Sequence, residues 1–123
     1  MAIIDPVVLE GRGNRDFLGC VRLQYRDVKA GDTCAPIKIA RYSDRSVQVS
    51  GTYSGATVAI QGTCEEDTNY ATMTVDGTTE LTFSSGVKSK FIMEATAYTK
   101  PVVTAGDGST SVTITFMCRG QVA

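Results

Sequence analysis

The chain has no histidine, no tryptophan, only three prolines and almost no net charge, −1 over 123 residues. Each absence removes a class of function. Without histidine there is no imidazole general base, no His-assisted nucleophile and no imidazole metal ligand. Cysteine acting alone would need an electropositive niche, and the charge distribution offers none. No G-x-S-x-G, P-loop or G-x-G-x-x-G is present, and Gly11-Arg12-Gly13 is too short and lacks strand–helix context. The chain is therefore read as a non-enzyme, with no catalytic residue, no cofactor-binding residue and no cofactor assigned.

The near-neutral charge also argues against a phosphate-binding surface, which needs a basic excess. Arg12, Arg15, Arg22, Arg26 and Lys29 come nearest, but Glu10, Asp16, Asp27 and Asp32 dilute them. A solvated surface of mixed sign is expected, with no nucleic-acid partner. No run approaches the roughly 18 apolar residues that span a bilayer. The opening MAIIDPVVLEGRGN lacks the basic and long apolar regions of an export signal. Synthesis in a cytoplasm, without a membrane partner, is the expectation.

Four cysteines, Cys20, Cys34, Cys64 and Cys118, allow three disulfide connectivities. A reducing cytoplasm opposes all of them. No closely spaced cysteine pair exists and no histidine can complete a zinc site, so no metal is assigned. Cys118 continues the alternation of Val112, Ile114 and Phe116, as a small buried hydrophobe would. Free, mostly structural thiols are expected.

Glu65-Glu66-Asp67 is the one carboxylate cluster. Adjacent turn residues point different ways, whereas a glycosidase pair faces one cleft from separate elements. Glu65, Asp67 and Asn69 with backbone oxygens form a calcium alternative, and the Asp107 turn a second. A solvated acidic loop is the preferred reading. Among the dispersed tyrosines, Tyr53 and Tyr70 flank turns and are the candidates for an interface.

What the chain does have is period-two alternation from Ser46 onward. Val47 and Val49 alternate with polar neighbours, then Val58 and Ile60 after the Gly51–Gly55 turn. Ala71, Met73 and Val75 follow the acidic loop, and Asp76-Gly77 is a strong turn dipeptide. Leu81 and Phe83 precede a break at Ser84-Ser85-Gly86. Phe91 to Tyr98 and Pro101 to Thr104 read as a strand pair or one bent strand. Pro101 has no amide donor and belongs at an edge or bend. Gly106-Asp107-Gly108 turns the chain into TSVTITFMC, the clearest strand. About six or seven short strands with turns roughly every 8–12 residues predict an all-β fold, an antiparallel β-sandwich or barrel. Ser46 to Thr63 reads as a hairpin with inward stripes Val47/Val49 and Val58/Ile60.

Residues 1–45 are richer in charge and glycine. APIKIARY, with Ile37, Ile39 and Tyr42, predicts one more strand, and Phe17 to Val28 is the one place a short helix could fit. The rest is either an arm that packs on a neighbour or a pair of weakly patterned strands in the same sheet. The expected organisation is a less regular arm over 1–45, a possible interaction segment, and a sandwich core over 46–123.

The stretches SVQVSGTYSGATVAIQGTCEEDTNYATMT, LTF and YTKPVVTAGDGSTSVTITFMCRG resemble a group of small tailed-bacteriophage virion proteins. The similarity covers Ser46 to Gly120, about three-fifths of the chain. Its most specific parts are the SGTYSGAT and GDG turns, each part of a β-hairpin in that group. At CEEDTNY the chain departs from the group, which has a glycine- and asparagine-rich turn before a tryptophan. The resemblance implies an Ig-like or jelly-roll sandwich that acts as a capsid decoration (cement) protein. It would bind the major capsid protein on the outer virion surface as a dimer or trimer. Interaction would run through residues 1–45, with Gly51–Gly55 and Gly106–Gly108 as secondary contacts. The alternatives are a tail, neck or fibre-base component, or a carbohydrate-binding module using Tyr53 and Tyr70, since SGATVAIQGT also resembles discoidin-like sandwiches.

Overall fold

The computed structural model describes residues 2–10 and 20–120, all of them strand, turn or loop. The described residues form eleven strands: β1 (Ile3–Ile4), β2 (Val7–Glu10), β3 (Cys20–Val28), β4 (Thr33–Cys34), β5 (Asp44–Thr52), β6 (Ala56–Thr63), β7 (Ala71–Thr72), β8 (Thr82–Phe83), β9 (Lys88–Phe91), β10 (Tyr98–Ala105) and β11 (Ser111–Arg119). One antiparallel sheet runs β2-β3-β11-β5-β9. A second antiparallel sheet has β6 paired with β10 on one side and with β7 and β8 on the other. β1 and β4 form a small parallel pair. The all-β, antiparallel sandwich-like architecture expected from the alternation is the one observed.

β11 shows why alternation specifies this fold. Val112, Ile114, Phe116 and Cys118 are each 0% exposed, while the residues between them face outward. β11 lies between β3 and β5, so its inward row meets Tyr25 and Leu23 on one side and Val47 and Val49 on the other. The Tyr25 ring packs edge-on against Phe116 at a centroid distance of 6.1 Å. From the opposite sheet, Val58, Ile60 and Phe83 close the core, joined by Leu81 and Met73. Burying a side chain the size of Phe116 contributes about 1.5–3 kcal/mol.

β3 occupies the stretch where a short helix could have fitted; residues 17–19 of that stretch lie outside the described residues. Val21, Leu23 and Tyr25 alternate with Arg22, Gln24 and Arg26, and that is a strand period. A bulge follows: Ile114 opposes Tyr25 but Val112 opposes Val28, leaving one extra residue on β3. Asp27 takes φ +51° there, which returns Val28 to the inward face. For the first 45 residues, β2 and β3 thus realise the reading as strands of the same sheet. The expected boundary at residue 45 falls within β5, and residues 11–19 lie outside the described residues.

Four expectations from the sequence do not hold. APIKIARY is not a strand: Ile37 makes a single bridge to Thr99, yet Ile37, Ile39 and Tyr42 are all buried. Their apolar spacing reflects a crossing segment that caps the core. Phe91 to Tyr98 and Pro101 to Thr104 are neither a strand pair nor one bent strand, because Phe91 ends β9 in the first sheet while Pro101–Thr104 lie in β10 of the second. Most informative is the Ser46–Thr63 unit. Its two valine/isoleucine stripes do point inward, but β5 and β6 never pair; each lies in a different sheet. The turn between them is an arch across the sandwich. β10 and β11 are joined by an arch in the same way, so the GDG turn is not a hairpin either. Glycine-rich turns between alternating segments look alike in both geometries.

β10 is an outer strand, as Pro101 requires. Ile60 directs its backbone N–H to Leu81 and its carbonyl to Met73, away from its opposite residue Pro101. The Pro101–Ile60 pair is therefore not hydrogen-bonded, and the missing donor faces the outside of the sheet.

Candidate interaction surfaces

Three crossings between the sheets gather at one end of the sandwich. Tyr53 is buried in the first arch, and its hydroxyl donates to the Gly86 carbonyl of the β8–β9 crossing at 2.9 Å. Its own carbonyl accepts from the Thr110 hydroxyl at 2.9 Å, in the β10–β11 arch. That hydroxyl also accepts from the Asp107 N–H at 3.0 Å. Ser54 completes the junction by donating to Asp107 Oδ1 at 2.7 Å. Asp107 also receives the Ser109 N–H at 2.8 Å. The Ser54 and Ser109 donors hold its carboxyl below the usual range. The two turns singled out in the sequence are thus one structural unit, whose exposed rim runs from Thr104 to Ser109 with Gly55 beside it.

The acidic loop lies at the other end, where β6 turns back into β7. Thr63 Oγ1 accepts from Glu65 N and donates to Thr68 O. Asn69 donates to Glu65 Oε1 at 3.0 Å, and the Tyr70 hydroxyl donates to Asp67. Glu65 and Asp67 therefore point to separate partners within the loop. Among the described residues no group of three His, Cys, Asp or Glu is placed to hold a metal ion. Burial, with help from the Asp67 hydrogen bond, raises the Tyr70 hydroxyl above its ordinary value. Lys100 sits over the Tyr70 ring at 4.1 Å and Lys38 over the Tyr98 ring at 5.1 Å. Beside them a hollow of about 480 Å³ is lined by Lys38, Glu65, Glu66 and Tyr98.

Tyr53 and Tyr70 do not form a joint platform. They flank opposite ends of β6, and Tyr53 is only 7% exposed. The sugar-stacking role suggested for that pair is not one this geometry provides. Of the N-terminal basic cluster, Arg26 and Lys29 are exposed and Arg22 is half-buried, whereas Arg12 and Arg15 lie outside the described residues. Arg22 lines a shallow groove of about 280 Å³ across the outer face of the larger sheet with Gln24, Gln48, Thr115 and Met117. All four cysteines are free: Cys34 and Cys118 buried, Cys20 half-buried and Cys64 exposed. Burial pushes the Cys34 and Cys118 thiols up to about 12.

Two features escaped the sequence reading. Thr110 is 1% exposed and ties both arches together, although the sequence marks it only as the first residue of the alternating TSVTITFMC stretch. Arg45 lies on the inward face of β5, 6% exposed, with Nη2 donating to Met93 O at 3.2 Å and Nε without a hydrogen-bond partner. Its place between polar neighbours gave no sign of burial. Comparison with protein-family models, curated proteins and solved structures found no match. Among the described residues, no helix is long and apolar enough to cross a membrane.

Proposed function

We propose that this chain is a bacteriophage structural protein, a capsid decoration protein that binds the outer shell and ties neighbouring major capsid proteins together. The observation that carries the reading is the resemblance of Ser46–Gly120 to small tailed-phage virion proteins. Its two most specific turns meet through the Ser54–Asp107 hydrogen bond, and the turn cluster they form at one end would be the surface that meets the shell. A cement protein gains affinity by engaging several lattice sites at once, so each contact can be modest. A sheet-rich domain with a braced turn cluster suits that task, and assembly as a dimer or trimer would multiply it. Its location would be the outer capsid surface, reached after synthesis in the bacterial cytoplasm.

The test is co-sedimentation of purified protein with expanded capsids that lack it. Saturable binding at hundreds of copies per particle is expected. Gly108→Arg should weaken it, because a side chain at Gly108 meets open space and adds bulk only to the rim. Failure to co-sediment would overturn the reading, and tens of copies at a single vertex would assign the chain to the neck or tail instead.

A further inference from the structure

β9 closes one side of the five-stranded sheet, and among the described residues no strand covers its outer side. Its backbone alternates in a defined way. Ile92 N–H donates to Arg45 O at 2.8 Å, continuing the β5–β9 ladder. Antiparallel alternation then turns Lys88 and Lys90 toward β5 for hydrogen bonding and aims the N–H and C=O groups of Ser89 and Phe91 away from the sheet. That row is a template for one more strand.

The side chains along this edge divide by chemistry. Phe91 stands opposite Ser46 on the outer face, 50% exposed, and Val87 and Met93 to either side are 66% and 57% exposed. Lys88 and Lys90 stand opposite Val49 and Val47, on the other face. Lys90 is held there: its ammonium donates to Thr82 O at 2.8 Å and lies 5.0 Å from the Phe83 ring centroid. Lys88 is exposed, and among the described residues no carboxylate lies within ion-pair distance of either ammonium.

We propose that the β9 edge binds an extended segment of a partner protein in which apolar and acidic residues alternate. Such a segment would take up the free backbone groups of Ser89 and Phe91. Its apolar side chains would cover Val87, Phe91 and Met93, and its carboxylates would meet Lys88 and Lys90. A second copy of β9 is the poorer occupant, because antiparallel self-pairing sets lysine against lysine, and like charges across a ladder destabilise it. The span from Val87 to Met93 fits a partner strand of about seven residues, roughly 20 Å. The inference applies to any protein offering such a strand, and does not depend on a capsid.

The probes are two labelled peptides of that length, one alternating valine with glutamate and one alternating valine with lysine. Binding is read by fluorescence anisotropy and by amide chemical shifts. The glutamate peptide should bind, lose affinity as salt rises, and shift amides only around 46–49 and 87–93. Ser89→Pro removes an N–H that faces away from β5 and should weaken binding by about tenfold or more. Lys88→Glu, which sets a carboxylate beside Lys90, should remove most of the preference that the wild type shows for the glutamate peptide. Phe91→Ser, at an exposed position, replaces Ser89→Pro if circular dichroism shows that proline disturbs the fold. The proposal is overturned by shifts mapping elsewhere, equal binding of both peptides, no binding at millimolar peptide, binding that survives the edge variants, or self-association of the free protein through β9.

Discussion

Gly51 and Gly55 read as equivalent turn residues in the sequence, and the arch makes them very different. Gly51 has φ +114° and sits in β5 opposite Val112. A β-carbon there would collide with the Ser111 carbonyl oxygen and lie 3.0 Å from Val112 Cα. Both obstacles are backbone of β11, the central strand, so relief requires moving the ladder. Gly55 has φ +86°, and nothing lies within 4 Å of the position its β-carbon would take. For Gly55→Ala the cost is a left-handed alanine, about 1–2 kcal/mol, partly offset by about 0.4–1 kcal/mol from a stiffer unfolded chain. A net loss near 1 kcal/mol is expected. Gly51→Ala adds overpacking against immovable backbone, about 1–3 kcal/mol more, for a total near 3 kcal/mol. Against a typical domain stability of about 5–15 kcal/mol, that is a large fraction. Urea titration followed by circular dichroism and tyrosine fluorescence measures both, the chain having no tryptophan. The midpoint should fall about three times further for Gly51→Ala, with unchanged slope. Losses within about 0.5 kcal/mol of each other would refute the account of how β5 meets β11.

Thr110→Val keeps the shape of a buried side chain but removes its bonds to Tyr53 O and Asp107 N, so a loss of about 1–3 kcal/mol in urea is expected; a neutral result would show that the arches are not braced there. Asp76 accepts the Thr79 and Thr78 N–H groups and both threonine hydroxyls, which lower its carboxyl to about 2. Because the folded value lies below the unfolded one, its stabilisation is present above about pH 4 and fades as pH falls toward 2. Thermal melts of the wild type and Asp76→Asn should therefore differ most near neutral pH and converge in acid; a constant difference would contradict the assignment. Iodoacetamide at pH 8 should modify Cys64 first, with Cys34 and Cys118 reacting only on unfolding. Mass spectrometry with and without urea decides this, and native-state labelling of Cys118 at the rate of Cys64 would show that the core is open.

Much of the fold is legible in alternation alone. Val112 to Cys118, Val47/Val49 and Val58/Ile60 could only be inward rows of sheets, since a period of two buries one face whatever the partner strand. Pro101 announced an outer strand because it lacks a donor. β3 was readable too, through Val21, Leu23 and Tyr25, although its charge and the bulge at Asp27 obscured the period. The sequence also ruled on chemistry, since a chain without histidine has no imidazole to offer.

Only the tertiary structure decided which strands are neighbours. A hairpin and an arch use the same glycines and the same flanking alternation; they differ in whether the second strand rejoins its own sheet or crosses to the opposite one. β11 already occupies one side of β5, and β9 the other, so β6 has nowhere to pair with it. That choice is made by strands far away in the chain, and no local pattern contains it. The same choice brings Ser54 to Asp107, fixes Thr110 beneath Tyr53, and leaves the lysine-flanked edge of β9 as a row of backbone groups with no strand beside it among the described residues.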